Sequence, residues 1–411
     1  MRLTKTVVDH LPTPNSGQAI YRDELLVGFG VRVTPSGVKS FIVEKRIGGR
    51  VTRKTLGRFG PLTVEQGRKE AQKFLGKVAT GIDPIAEQRE DQARQVTLGQ
   101  VFDAYIATRS GLKASTVHDY QRIMREAFAR WANRPIAQIS KDDVQKLHHQ
   151  LGERSPARAN NAMRVLRALF NFASGQYEDS QGRSLFPENP ISRISHTRGW
   201  YRVERRRTVI KKSELAPWYG AVETLRGEGP GSSGRDVGDY LLLLLFTGLR
   251  RSEGMTLRWE SVDLTEQTLT ITETKNREPL ILPLPDILVG VLTERAAHAS
   301  GEYVFPGRGG VSHLKEPRTQ MNRVTEQSGV TFTLHDLRRT FITIAESLEL
   351  SQYAIKQLVN HKMHNDVTAG YVVMNPERLR PAMGRIANEI LLAAGRTVPS
   401  NVVPLVRKDA S

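Results

Sequence analysis

Six residues of the second half of the chain are each able to bind, protonate or attack a phosphate group. They are Arg250, Lys275, His335, Arg338, His361 and Tyr371. A guanidinium holds two phosphate oxygens at once, imidazole and ammonium groups transfer protons, and a tyrosine hydroxyl can act as a nucleophile. No cysteine is present and no carboxylate cluster competes with this set, so phosphate chemistry is the first hypothesis.

The sequence around Arg250 predicts that its side chain is held by a rigid element. The apolar run 241–246 indicates a buried helix, and Gly248 is expected to break or kink it. Arg250 then lies just beyond the helix, and Glu253, three residues on, can orient the guanidinium. Taken alone, the two residues are more typical of an Arg–Glu pair on a helix surface.

Lys275 is expected near the tip of a β-hairpin. The segments 269–272 and 280–284 both alternate in hydrophobicity, as paired strands do. An ammonium group at that tip can reach a phosphate and protonate a leaving oxygen. A lysine at a hairpin tip is also commonly just solvated, so this residue alone is a weak signal.

The remaining groups are expected to lie on or beside helices. His335 and Arg338 are three residues apart, so a helix places them on one face. His361 follows a predicted helix at 354–359, and Tyr371 falls in a segment expected to be a mobile loop or a short helix. With a free pKa of about 10, a tyrosine needs its proton removed and the anionic transition state neutralised.

A metal site was the alternative for the histidines. His361 and His364 are three residues apart, and His335 can approach them. No acidic residue stands in a metal-ligand pattern with them, however, so we expect neither a metal nor a cofactor.

Composition points to a polyanionic partner. The 411 residues suffice for two or three domains, and the net charge is +17 with a pI of about 10.1. Residues 1–90 contribute +7, residues 91–200 contribute +6 and the rest +4. Nucleic acid is the natural partner for such a surplus. No apolar run is long enough to span a bilayer and no signal peptide is apparent, so the expected location is cytoplasmic, at the bacterial nucleoid.

Residues 1–90 predict a small domain of one sheet and one helix. Its three expected strands are 28–34, 40–46 and 51–56. Thr63 with Gln66 has the spacing of a capping box, and the helix is expected to end near Gly81. Basic side chains on the sheet can enter a DNA major groove, although a solvated face is an equal alternative. The candidates for DNA contact here are Lys39, Lys45, Arg46, Arg53 and Lys54.

Residues 96–195 predict a bundle of four helices, after a polar linker at 85–95. Their expected starting points are Thr97, Ser115, Ser140 and Ser155. Arg158 and Arg164 lie on the last helix and can contact phosphates. Residues 176–212 are predicted to be a second linker, in which Arg205 and Arg206 are further candidates for DNA contact. Residues 205–395 are expected to be mostly helical with one hairpin, and 396–411 a flexible tail.

These segments resemble the tyrosine recombinases, specifically phage and genomic-island integrases. Thr-Gly-Leu-Arg-Arg-Ser-Glu at 247–253 and His-Asp-Leu-Arg-Arg-Thr at 335–340 are similar to the two boxes of that family. Residues 21–84 resemble the family's amino-terminal arm-binding domain, and 96–195 its core-binding domain. The sequence departs at Val-Asn-His, 359–361, where many relatives have Leu-Gly-His.

The resemblance implies a fold and a reaction. The expected fold is multidomain and mainly α, with a catalytic domain of the recombinase type. The implied reaction begins with attack by Tyr371 on DNA, leaving a 3′-phosphotyrosyl link, and passes through a Holliday junction. It also implies transition-state stabilisation by Arg250 and Arg338, and Lys275 as general acid. His335 is implied to assist proton transfer, and His361 to hydrogen-bond a phosphate oxygen.

The implied partners are double-stranded DNA at core and arm sites and three further copies of the chain in a homotetramer. DNA-bending accessory proteins and an excisionase are possible additions. In the family a C-terminal segment often passes to a neighbouring protomer, and 385–395 is the candidate segment. Three rival functions remain open at this point: a relaxing enzyme of the type IB topoisomerase kind, a DNA-binding regulator with a dead site, and a metal-dependent nuclease.

Overall fold

The structure, a computed structural model, describes residues 1–47, 49–272, 274, 279–299, 301–307, 309–310, 312–361 and 375–397. The chain forms two compact units, Met1–Glu204 and Arg205–Ser411. This division is coarser than the three predicted domains, whose boundaries remain predictions. Within the part of the chain described, no helix is long and apolar enough to cross a membrane.

The first unit opens with a short helix and a four-stranded antiparallel sheet. The elements are α1 (Lys5–Asp9), β1 (Ala19–Arg22), β2 (Phe29–Val33), β3 (Lys39–Ile47), β4 (Arg50–Arg58) and α2 (Val64–Ala79). Helix α2 packs on one face of the sheet, where Phe74 and Ala71 meet Phe29, Phe41 and Val43. The Thr63–Gln66 capping box is confirmed, with both reciprocal hydrogen bonds present.

Two expectations for this region are wrong. The sheet has four strands, because β1 was missed: it is a four-residue edge strand, too short for a clear alternation. Residues 85–95 were expected to be a linker, but α3 (Pro84–Arg94) occupies them. Asp83 begins this helix because its carboxylate accepts from the Ile85 and Ala86 amides, and Pro84 fits the first helical position.

The predicted bundle of four helices is confirmed. It consists of α4 (Leu98–Thr108), α5 (Ala114–Ala127), α6 (Lys141–Arg154) and α7 (Pro156–Gln176). Helix α5 begins one residue before the predicted Ser115. The second linker was predicted to begin at residue 176, which is too early. Leu185, Phe186 and Ile194 pack into the bundle core, and Ile194 lies on α8 (Ser192–His196). Burial of these apolar side chains lowers the free energy of the folded chain, so the segment packs against the bundle and does not remain in solvent.

The second unit is helical with one small sheet. Its elements are α9 (Lys212–Arg226), α10 (Ser233–Thr247), α11 (Arg251–Met255), β5 (Val262–Asp263), β6 (Thr268–Ile271), β7 (Leu280–Pro283), α12 (Asp286–Ala296), α13 (Arg318–Ser328), α14 (Leu334–Ser347), α15 (Gln352–Leu358) and α16 (Pro376–Ala393). As predicted, 241–246 is a buried helix: every residue of that run in α10 is fully enclosed. The expected hairpin is present as β6 and β7, and β5 extends it to three strands.

The C-terminal helix contains the segment that is the candidate for transfer to a neighbouring protomer. Residues 385–395 belong mostly to α16, whose Met383, Ile386 and Ile390 lie in the core of the second unit against α9, α14 and β7. Burial of this apolar stripe stabilises the helix, and the transfer remains a prediction.

Candidate active site

Arg250 lies where the buried helix α10 ends. Gly248 adopts φ +63°, and an added Cβ would come within 2.6 Å of the Phe341 ring, so this turn requires glycine. Arg250 then precedes α11, and its Nη1 donates to Oε1 of Glu253 at 2.7 Å. The other carboxylate oxygen of Glu253 accepts from the Arg250 amide at 2.8 Å. As predicted, Glu253 orients the guanidinium, and Glu253 itself is buried.

Arg338 is buried on α14, with only 3% of its surface exposed. Its guanidinium donates to the carbonyl oxygen of Gly248 at 2.6 Å and to that of Val359. These carbonyls lie at the C-terminal ends of α10 and α15, where helices leave carbonyl groups without intrahelical partners. A cation is stabilised by the negative end of the helix dipole. Backbone carbonyls therefore fix Arg338, and no carboxylate among the described residues pairs with it directly.

The turn after α15 holds both arginines. Val359 accepts from Arg338, and the next carbonyl, that of Asn360, accepts from Arg250 at 3.1 Å. Asn360 adopts φ +46°, a left-handed conformation that asparagine and glycine tolerate better than other residues. The backbone at position 360 thus accepts asparagine in place of the glycine of Leu-Gly-His. The residue that follows is His361.

Positive charge exceeds negative charge in this site. Burial, and then the charge of Arg250, lower the pKa of Arg338 to about 10, while Glu253 partly opposes that effect. Arg338 remains charged at neutral pH, and the one described carboxylate that acts on its charge is Glu253, which is already paired with Arg250. An excess cation buried this deeply favours an anionic ligand.

Both histidines face this charge. Partial burial, followed by the charges of Arg339 and Arg338, lowers the pKa of His335. The pKa of His361 is also lowered by burial first and then by Arg338 and Arg250. Both imidazoles are therefore neutral at pH 7, and each can donate or accept a proton. Unlike Arg338, both side chains remain accessible to solvent.

Asp336 connects the start of α14 to Thr208, which lies in the connector that precedes α9. Its carboxylate accepts from the amide and hydroxyl of Thr333, which completes a capping box. The other oxygen accepts from Oγ1 of Thr208 at 2.7 Å and from Arg339 at 2.9 Å. Sequence reasoning missed this role of Thr208, since no spacing rule links residues 128 positions apart. The Thr333–Asp336 pattern was the one available signal.

The structure brings four of the six predicted catalytic residues together. Arg250 and Arg338 donate to the consecutive carbonyls of Asn360 and Val359, and both arginines lie near enough to His335 and His361 to lower the pKa of each imidazole. Lys275 and Tyr371 lie outside the described residues, as does His364. Their places in the site remain predictions.

The basic residues predicted to contact DNA occupy several surfaces. In the sheet, Lys39, Lys45 and Lys54 lie on the face that α2 covers, since they share it with Phe41 and Val43, whereas Arg46 and Arg53 lie on the opposite face. Lys54 approaches the Phe74 ring to 5.9 Å, and Lys39 donates to the Asp9 carbonyl. Successive side chains of a strand point to opposite faces, and this alternation divides the predicted contacts between the two faces.

On the bundle, the guanidinium of Arg158 pairs with Glu126, and that of Arg164 lies 5.7 Å from the Trp200 ring centroid. Arg205 and Arg206 are exposed in the connector that precedes α9. All nine basic residues remain predictions as DNA contacts.

Comparison with known proteins agrees with this site. Residues 235–378 match the model of the phage integrase family, a range that contains all six predicted catalytic positions, and residues 3–91 match that of an arm DNA-binding domain. Prophage integrase IntF of Escherichia coli (strain K12) is 25% identical over 410 residues, covering 89% of this chain and 85% of that protein. Prophage integrase IntZ of the same organism is 24% identical over 296 residues, 70% of each chain.

Solved structures share the fold. A lambda integrase tetramer bound to a Holliday junction superposes with a TM-score of 0.53 at 18% identity, covering 87% of this chain and 98% of that one. A Tn1549 transposon integrase in complex with a circular intermediate DNA gives 0.52 at 16% identity, covering 70% and 99%. The chain therefore contains a phage integrase domain and an amino-terminal arm DNA-binding domain, and it is homologous to prophage integrases.

Proposed function

We propose that this chain is a site-specific integrase that cuts and rejoins DNA through a 3′-phosphotyrosyl link at Tyr371 and integrates or excises a phage or genomic island. One observation carries the proposal: Arg250 and Arg338 both donate hydrogen bonds to backbone carbonyls of the turn after α15. Two neutral histidines lie beside them. This arrangement fits a phosphodiester, whose transition state carries more negative charge on its oxygens than its ground state.

The first step forms one bond and breaks one. The Tyr371 oxygen bonds to phosphorus and passes its proton to His335, while the bond to the 5′ oxygen breaks. Lys275 protonates that leaving oxygen, and Arg250 and Arg338 neutralise the oxygens that do not react. His361 donates a hydrogen bond to one of them. The products are a 3′-phosphotyrosine and a free 5′-hydroxyl.

The second step reverses the first with a different strand. A 5′-hydroxyl from the partner duplex attacks the phosphotyrosine and returns a proton to Lys275. The bond from phosphorus to Tyr371 breaks, and the tyrosine oxygen takes its proton back from His335. The energy of the phosphodiester is kept in the enzyme link, so neither nucleotide hydrolysis nor a metal enters the balance. Two such rounds produce and then resolve a Holliday junction.

Two duplexes cut twice each require four active sites, so the working form is a homotetramer on DNA. The lambda integrase tetramer bound to a Holliday junction supports this assembly. Core and arm sites in double-stranded DNA are the substrates, with DNA-bending proteins and an excisionase as accessory partners. The expected location is the cytoplasm, at the nucleoid.

A nicked suicide substrate tests the reaction. A nick beside the cleavage position lets the short 5′-hydroxyl strand diffuse away, so the covalent complex accumulates and can be mapped by mass spectrometry. We expect the adduct on Tyr371, its loss in Tyr371→Phe with DNA affinity retained, and its persistence in Tyr303→Phe. An adduct that survives Tyr371→Phe would refute the assignment.

The same assay separates the rival functions. A regulator with a dead site gives no adduct in any variant, and a metal-dependent nuclease loses activity when a chelator is added. A relaxing enzyme forms the adduct but rejoins only the original strand. We expect a chelator-resistant adduct and transfer to a labelled partner duplex.

A further inference from the structure

The face of the amino-terminal sheet opposite α2 carries five arginines and one carboxylate. In the antiparallel register, directly paired residues share a face, so this surface can be followed from strand to strand. Its charged members are Arg22 on β1, Arg32 on β2, Glu44 and Arg46 on β3, and Arg53 and Arg58 on β4. We call this surface the arginine face.

Glu44 lies at the centre of the arginine face and is its only acidic strand residue in the described register. Its Oε2 accepts from Nη2 of Arg22 at 2.9 Å, and its Oε1 accepts from Arg53. The carboxylate is only 12% exposed, whereas Arg22 is 68% exposed. The two arginines therefore lie over the carboxylate and reach it from opposite sides of β3.

Glu44 is charged in this position. Burial alone would raise its pKa, but hydrogen bonds from Arg53 and Arg22, together with their charges, lower it below the usual value. By contrast, Arg32 makes no ion pair among the described residues, and its Nε is buried without a hydrogen-bond partner. The face thus combines two paired arginines with others that carry unpaired charge.

This charge pattern fits duplex DNA, whose major groove admits a pair of β-strands. Each arginine that reaches a phosphate releases counterions and adds affinity regardless of sequence. An arginine that is paired with a carboxylate must first break that ion pair in order to contact a phosphate. If the pair persists, the carboxylate brings a negative charge close to the phosphates.

We propose that Glu44 limits binding of the arginine face to DNA of arbitrary sequence, by holding Arg22 and Arg53 in ion pairs. This rests on the proposed function only in taking duplex DNA as the partner of the amino-terminal domain. Glu44 is a positioning residue: it acts through the two arginines. An arm site must then offer contacts that offset the cost of breaking the ion pairs of Glu44. DNA of random sequence lacks such contacts.

The test uses the full chain and a random-sequence duplex, with affinity measured by fluorescence anisotropy at several salt concentrations. Glu44→Gln keeps the shape of the side chain and removes its charge. We expect several-fold tighter binding near 0.1 M salt, and a slope of log affinity against log salt steeper by about 1 to 2, one for each arginine released.

Two further variants separate this effect from a general gain of charge. Glu70→Gln makes the same change of net charge on α2, where it releases Lys73 from an exposed ion pair. We expect this variant to leave the slope unchanged. In an Arg22→Ala/Arg53→Ala background, Glu44→Gln should change the slope by less than half as much as in the native chain.

The outcomes each decide the proposal. A steeper slope in Glu44→Gln alone, lost in the double-alanine background, supports it. An unchanged slope, or an equal change in Glu70→Gln, overturns it. A change in melting temperature without a change in slope assigns Glu44 a structural role and also overturns it. None of these results depends on strand cleavage, so failure of the Tyr371 adduct assay is a separate result.

Discussion

Arg250 and Arg338 donate hydrogen bonds to consecutive carbonyl oxygens, those of Asn360 and Val359, so a single turn fixes both guanidinium groups. His361 follows in the same turn. A shift of that turn therefore moves both arginines and one histidine together. Several measurable consequences depend on this relationship.

Arg338→Lys should abolish most cleavage while leaving DNA binding nearly intact. A lysine retains the charge, but a single ammonium cannot span the carbonyls of Gly248 and Val359 while presenting a planar donor pair to the substrate. Loss of one preorganised donor of this kind lowers rates by about 10² to 10³. Single-turnover adduct formation measures the effect, and Arg323→Lys, remote on α13, is the control. A loss below tenfold would contradict the assigned role.

Inorganic phosphate should stabilise the protein through the excess of positive charge beside Arg338. Ligand at about 100 times its Kd adds about 2.7 kcal/mol to the free energy of unfolding. Because a basic protein binds phosphate elsewhere as well, the informative quantity is the difference between variants. We expect the rise in melting temperature to be at least halved in Arg250→Gln. Equal rises in both proteins would place the bound phosphate elsewhere.

Asn360→Gly should be close to neutral, whereas Asn360→Ala should destabilise the protein. At φ +46° a Cβ without a local hydrogen-bonding side chain costs about 1 kcal/mol. Urea unfolding measures the stability, and adduct formation reports on Arg250, which donates to this carbonyl. If alanine proves as stable as glycine, the left-handed turn is not a constraint.

The histidines should make cleavage resistant to mild acid. Because the pKa values of His335 and His361 are lowered, both stay neutral somewhat below pH 6.5, where an unperturbed histidine is half protonated. The unfolded chain takes up these protons first, so the free energy of unfolding should decrease as pH falls below about 6.5. NMR titration of the two imidazoles checks the direction, and His335→Gln should remove part of the pH dependence. Titration above pH 6.5 would contradict it.

Thr208→Val should weaken the link between the connector and the first turn of α14. The valine cannot donate to Asp336, which leaves a buried carboxylate with one partner fewer and costs about 1 to 3 kcal/mol. We expect slower cleavage with unchanged DNA affinity, and recovery in Thr208→Ser, which restores the hydroxyl. If serine and valine behave alike, the hydrogen bond does not position the helix.

The sequence by itself determined the local elements and the residue types of the site. The run of six apolar residues at 241–246 indicated a buried helix, and Gly248 was expected to break or kink it. The capping pairs at Thr63, Thr97 and Ser140 were visible because their partners lie three residues away. Interactions within a turn are encoded locally, so spacing alone reveals them.

Only the tertiary structure decided which groups hold the site residues in place. The carbonyls that accept from Arg338 belong to positions 248 and 359. Every residue has a backbone carbonyl, so residue type does not indicate which of them accepts. Likewise, the pairing of Glu44 with Arg22 depended on β1, a strand too short to be recognised from its own residues. Such contacts join residues distant in the chain, and they arise from the packing of whole elements, which no local pattern specifies.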